Sequence, residues 1–531
     1  MGVHVKLDID PGGIDAAVWA EVYDETLRLL KAWPERLVGW RWKTVEGLRV
    51  PMYARSLARR RRDPARTYWA VTGDRVTLRT GECQEMHRAL EHYGAPGAAC
   101  DDILLYAARR DDGSGGPVNV FGRKTQGHSF HFAVLAAAML VEERFPKHAM
   151  VRGDIDRGQA EAARRMAEPI LGRPLPLPVR VDAPRLIERL RAGFHRDALM
   201  WAFELTYLDD STARHEAVLR AFEGDAGERW WVESYKRFAS HRSLGAIDLL
   251  IAWFNAERDL ATAARLVCCD ERGPRHAPSD FLDALLSTWV TLPPTSRAPF
   301  APLLRPEGAA HTVFGLLGGF IFDQSIAGRK SRCWLQPEAV EAGLRDAFGD
   351  AAEALCADLR ARSATELARL DREAEGARAL VERGNARFVD DPDEVPEVRS
   401  PAKLGARQRE VLEALAWRVE RSLAGLRRDA SKLAVDLGAP GDVRCLVARM
   451  LADGGPTLTE RAWTEILASE DADELCWLFV LAGFRAPNDA LARTQVALFE
   501  RPRLRAYARA VGRDPARMAA IDARLKALPT A

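Results

Sequence analysis

From about residue 184 to its end the chain repeats apolar residues at helical spacing, whereas period-two alternation recurs only before that point. This asymmetry leaves few architectures open. It predicts an α+β N-terminal domain followed by a large all-α region of helical hairpins, mainly α overall. At 531 residues the chain also exceeds the ~250–300 residues at which single cores stop growing, so two or three domains are expected. The boundaries are placed at 1–183 for the α+β domain, 184–386 for a helical domain and 406–531 for a C-terminal helical domain. The acidic stretch 387–405, with three prolines, reads as a linker or exposed crossover.

Within the first region VHVKLDID alternates and stops at Pro11-Gly12-Gly13, a strand running into a turn. Residues 14–32 carry a helix. LVGWRWKTV, LRVPMYARSL and TYWAVTGD read as short aromatic-rich strands. GECQEMHRALEHYG is predicted to be a short helix and DILLYAAR a strand. FHFAVLAAAMLVEERF reads as a buried helix stopping at Pro146, and HAMVRGDI as a strand. Asp156 is expected to cap the helix RGQAEAARRMAEPILG, which Pro169 should kink or end. Residues 361–385 carry opposite charges at i,i+4 spacing without sustained heptads, as in a solvated helix. Two segments, 198–223 and 474–500, share a frame in which Leu199, Trp201, Phe203 and Leu205 match Leu475, Trp477, Phe479 and Leu481. The frame suits a helical-hairpin repeat, and equally two amphipathic helices with bulky core residues.

With 77 Lys+Arg against 76 Asp+Glu, the net charge of +1 supplies no field for steering onto nucleic acid or an anionic membrane. The best basic patch, Arg59-Arg60-Arg61-Arg62, is equally well a solvated turn, so nucleic-acid binding is not expected. The apolar runs 132–141 and 313–322 span about ten residues each, short of the ~20 a bilayer requires, and read as core elements. Eight scattered cysteines without a CxxC pair, and no secretory signal pattern, point to a reducing, cytoplasmic setting. The Arg- and Ala-rich, Lys-poor composition fits a bacterial genome of high GC content.

Concentrated polar chemistry lies in residues 118–159, where loop, helix, strand and turn should bring His128, His131, Asp154 and Asp156 to one side of a sheet. His128 and His131, three apart at a helix start, could share a metal with an aspartate, but no HExxH or other zinc spacing accompanies them. Cys83, placed near a helix N-terminus, could form a thiolate and precede His128 or His131 and Asp154 in the order of many thiol hydrolases. The histidines introduce a helix rather than a strand, which counts against that reading. Asp8 and Asp10 share one face of the first strand. A DxD of this kind can hold a metal, though Asp10 has a simpler task in initiating the turn. Lys124-Thr125-Gln126 lacks phosphate-loop spacing. Trp230, Trp231 and Tyr235, on a short amphipathic helix, fit either a partner-binding surface or a core.

Together these features predict a bacterial cytoplasmic protein-interaction protein that binds and neutralises or scaffolds a protein partner, of immunity or antitoxin type. The alternatives are a hydrolase using Cys83, His128, His131 and Asp154 or a metal, and a structural or assembly component. No resident metal or cofactor is expected, and the oligomeric state stays open.

Overall fold

The computed structural model describes residues 3–34, 36–45, 47–54, 56–59, 66–74, 80–94, 100–109, 117–298, 330–388, 401–428, 435–452, 456–484 and 489–526. The apolar run 313–322, Arg60 to Arg62 and most of the crossover 387–405 lie outside them. The N-terminal region comprises β1 (Val5–Ile9), α1 (Ala16–Ala32), β2 (Leu37–Val45), β3 (Leu48–Ala54), β4 (Ala58–Arg59), β5 (Tyr68–Asp74) and β6 (Thr80–His87). It continues with α2 (Ile103–Arg109), β7 (Val118–Phe121), α3 (Phe130–Arg144), β8 (Ala149–Gly153) and α4 (Arg157–Leu171). Helices then follow one another: α5 (Ala183–Leu190), α6 (Arg196–Thr206), α7 (Ser211–Ala221), α8 (Asp225–Tyr235), α9 (Leu244–Asn255), α10 (Leu260–Cys268) and α11 (Pro278–Ser287). Beyond them the described chain is almost wholly helical, so the protein is mainly α with an N-terminal α/β region.

Two compact units share the chain. One holds residues 1–33, 60–68 and 84–386; the other holds 34–59, 69–83 and 387–531. In the first, β1 is the central strand of an antiparallel sheet ordered β7-β1-β8. Helix α3 packs on β1 and β8 and between α1 and α4. Its residues Ala133 to Val141 are all buried, so it needs no polar face and four alanines let its neighbours approach. Glu142, one turn from its end, is buried too. Its carboxylate accepts the Val151 N–H of β8 and the Val179 N–H, each at 2.6 Å, and thereby pairs an outward-facing donor of an edge strand. Burial raises its pKa, against the pull of those two N–H donors and of Arg189 and Arg185. The helices α5 to α11 build an apolar core around Phe203, Trp230, Trp231, Trp253 and Phe281, which Ile103 and Leu104 of α2 and Met150 of β8 join.

In the second unit β2 and β3 form a long hairpin, and β3 runs parallel to the short strand Leu458–Thr459. Val50 and Met52 join the core of the helices Ala406–Arg428, Pro440–Ala452 and Ala472–Gly483.

Two sequence expectations are corrected. GECQEMH forms strand β6, because Gln84 and Met86 alternate inward while their neighbours face outward. DILLYAAR forms helix α2, because the Asp102 carboxylate accepts the Leu104 and Leu105 N–H groups and so caps a helix start. Asp156 caps α4 as expected, accepting from Gln159 N at 2.7 Å. Pro169 lies inside the last turn, three residues before the left-handed Gly172 that ends the helix. The long charged helix runs Ala352–Phe388. The frame shared by 198–223 and 474–500 falls on helix pairs but not on equal burial. Trp201 is half-buried and Leu205 exposed, whereas Trp477 and Leu481 are core residues. That difference favours two amphipathic hairpins over a repeat.

Two stability predictions follow from buried groups of the first unit. Replacing Glu142 with Ala strands two buried N–H donors at roughly 1–3 kcal/mol each, so differential scanning calorimetry should show a loss of about 2–6 kcal/mol. His215, buried beside Arg214, has its pKa pushed down to about 4. The unfolded chain, at about 6.5, then binds the proton first, so stability present above pH 6.5 is lost as pH falls through 4. The loss is on the order of 3 kcal/mol, and His215→Gln should flatten this slope of melting temperature against pH.

Candidate functional site

Antiparallel pairing sets Ile9 opposite Ala149, so the residues just beyond them, Asp10 and His148, become neighbours. The Asp10 N–H donates to the His148 carbonyl at 2.8 Å. Its carboxylate in turn accepts four donors: Gly12 N at 3.2 Å, Cys100 N at 2.9 Å, the Cys100 thiol at 3.2 Å and His148 Nδ1 at 3.2 Å. Gly13 lies against the imidazole; a Cβ there would stand 2.0 Å from His148 Nδ1, which excludes any larger residue. Two residues earlier, Asp8 accepts Asn119 Nδ2 at 2.9 Å and is ion-paired with Arg152 Nη1 at 2.6 Å.

Cysteine, histidine and aspartate thus do converge in the N-terminal region, but as Cys100, His148 and Asp10. Sequence pattern singles out only Asp10; the other two become visible once the β1–β8 register is known. Burial pushes the Cys100 thiol up to about 12, and the hydrogen bond and charge of Asp10 push in the same direction. A thiol held in this way stays protonated and is a poor nucleophile. His148, bound through Nδ1, has Nε2 as its remaining proton acceptor.

The residues expected to carry catalysis hold other posts. His131 is buried, its Nδ1 2.8 Å from Thr125 Oγ1 and its Nε2 3.3 Å from Gln159 Oε1. Since Gln159 N donates to Asp156, the loop-helix-strand-turn order does bring His131 and Asp156 within one residue of each other. Asp154 accepts the His4 N–H at 3.0 Å, and His128 donates its own N–H to Thr125 O. Cys83 stands in the middle of β6, where no helix dipole acts on it, and groups with the second unit, whereas the two histidines and Asp154 belong to the first. Trp230, Trp231 and Tyr235 are core residues rather than surface anchors. Trp230 donates to Glu204 and Trp231 to the Leu249 carbonyl, and Trp231 packs 4.7 Å from Trp253 between ring centroids.

Exposed aromatic chemistry lies elsewhere, on the β2–β3 hairpin of the second unit. Alternation puts Val50 and Met52 on the core face, and Trp40, Trp42 and Arg49 on the opposite one. Trp42 is 51% exposed, packs edge-on to Trp40 at 6.2 Å and lies 4.9 Å from the Arg49 guanidinium stacked on its ring. Arg59 fixes the strand from behind by donating to the Trp40 carbonyl at 2.6 Å. On the core face Arg41 and Lys43 are occupied with Glu460.

No known protein family, curated protein or solved structure matches this chain. Among the described residues, no helix is long and apolar enough to cross a membrane. One group among them places three metal-capable ligand atoms within 4.8 Å of one another: His241, Asp280 and Asp283.

Asp10→Asn should reveal how tightly Cys100 is held. In the native chain Cys100 should resist iodoacetamide at pH 8; in the variant its alkylation, read by peptide mass spectrometry, should be several-fold faster.

Proposed function

We propose that the protein works by binding a partner protein, and that the Trp40–Trp42–Arg49 face of the β2–β3 hairpin is its contact surface. The observation that carries this reading is Trp42, a large aromatic left half in solvent on the face of the hairpin opposite the core residues Val50 and Met52. Tryptophan and arginine dominate the energetics of protein interfaces, and an arginine stacked on an indole is held ready for a carboxylate. The partner is accordingly one that presents acidic side chains around an apolar pocket wide enough for an indole. Neutralising or scaffolding such a partner, in a bacterial cytoplasm, is the form of the function that agrees with the near-zero net charge. The internal bonds of His131, Asp154, Asp8 and Asp10 favour binding over the hydrolase alternative, since each of these groups already serves the fold.

The test is quantitative capture from lysate of the source cells with the tagged full chain, Trp42→Ala/Arg49→Ala and His148→Gln in parallel. A stoichiometric partner retained by the native chain and His148→Gln, but reduced at least tenfold with the double variant, is expected. A partner retained equally by all three would overturn the assignment of this face. Retention by the hairpin variant with loss in His148→Gln would instead move the site to the Asp10 cluster.

A further inference from the structure

The connection between α8 and α9 and the start of α11 hold a second concentration of ionisable groups, which the binding reading does not use. Asp280 and Asp283, three apart on α11, present their carboxylates from successive turns to one side. His241, from the turn before α9, brings its imidazole to the same place. Its Nε2 is buried without a hydrogen-bond partner and lies 3.9 Å from Asp283 Oδ2. That separation is too long for a hydrogen bond. It is close to the ~3.4 Å that separates two ligands bound ~2.0–2.1 Å from one tetrahedral ion.

A neighbouring imidazole repeats the pattern. His276, two residues before α11, has its ring 5.8 Å from that of His241, and its Nε2 is likewise buried without a hydrogen bond. Burial, then the nearby His241, lowers its pKa, while Asp280 opposes this. The His241 nitrogen, buried and unbonded beside two carboxylates, costs free energy that a cation bound there would remove. Asp283 also accepts Arg242 Nη2 at 2.6 Å and is paired with Arg362. A carboxylate has about four acceptor positions, so these arginines fix its orientation and leave room for an ion.

We propose that His241, Asp280 and Asp283 form a binding site for one divalent transition-metal ion of the zinc class, with His276 beside it. Nitrogen and carboxylate oxygen donors of this kind suit zinc better than calcium or magnesium, which take oxygen alone. The ion would tie the α8–α9 turn to α11. His241 lies about 40 residues from the aspartates and the three match no short zinc spacing, so local sequence pattern does not reveal them.

The full chain, stripped with chelator and dialysed, is titrated with Zn²⁺, with stoichiometry read by plasma mass spectrometry and geometry by the visible absorption of the Co²⁺ form. The native protein and His148→Gln should each take up one ion and melt at a higher temperature with it. His241→Ala and the milder Asp280→Asn should each bind at least tenfold more weakly, with unchanged circular dichroism. Absence of uptake by the native chain, or equal uptake by these variants, would overturn the site.

Discussion

The buried carboxylate of Glu142 is the interaction on which the first unit most depends. Helix α3 is buried along almost its whole length, so Glu142, unlike Glu143 and Arg144 after it, must find partners inside. It finds them in the backbone of β8 and in the segment that leads into the helical layers. One ionisable group therefore joins three parts of the fold that differ in type: a buried helix, a sheet edge and the first turn of the all-helical region. Its desolvation is a cost, offset by two short charge-assisted bonds and by the arginines nearby. A second carboxylate, Asp10, repeats the arrangement at the other end of the sheet, gathering the end of β1, the segment before α2 and the turn before β8. Acidic residues that look catalytic in isolation thus serve as internal connectors.

Much of the architecture was legible before the structure. The periodicity of α1 and α4 and the alternation of β1 to β3 are strong local signals, because polar and apolar side chains separate onto different faces, while α3 is legible as an apolar run stopped by Pro146. The two misread elements share a cause. Near Cys83 a helix-compatible composition hid a strand whose alternation is carried by Gln84 and Met86, and at Ile103 an apolar run hid a helix announced only by its cap, Asp102. Short segments of this kind are settled by their neighbours rather than by themselves.

The candidate sites were less legible because they are relations between distant residues. His128 and His131 caught attention by closeness in sequence, yet closeness along a helix start says nothing of what each ring meets, and His131 meets Thr125 and Gln159. Cys100, Asp10 and His148 come together through antiparallel register, and His241 joins Asp280 through helix packing; neither is encoded in spacing. Trp230 and Trp231 illustrate the converse. Their pairing suggests a surface, but with Trp253 and Phe281 in reach the same rings fill a core, while Trp42 stands half in solvent.

The second unit is assembled from pieces far apart in the chain. Met52 of the hairpin pairs in register with Leu458, about 400 residues downstream, and its core face is completed only by the C-terminal helices. During synthesis the hairpin therefore emerges long before anything exists to cover Val50 and Met52. Until then it is an unfinished surface, and helices synthesised about 400 residues later decide whether these two strands ever become part of a domain.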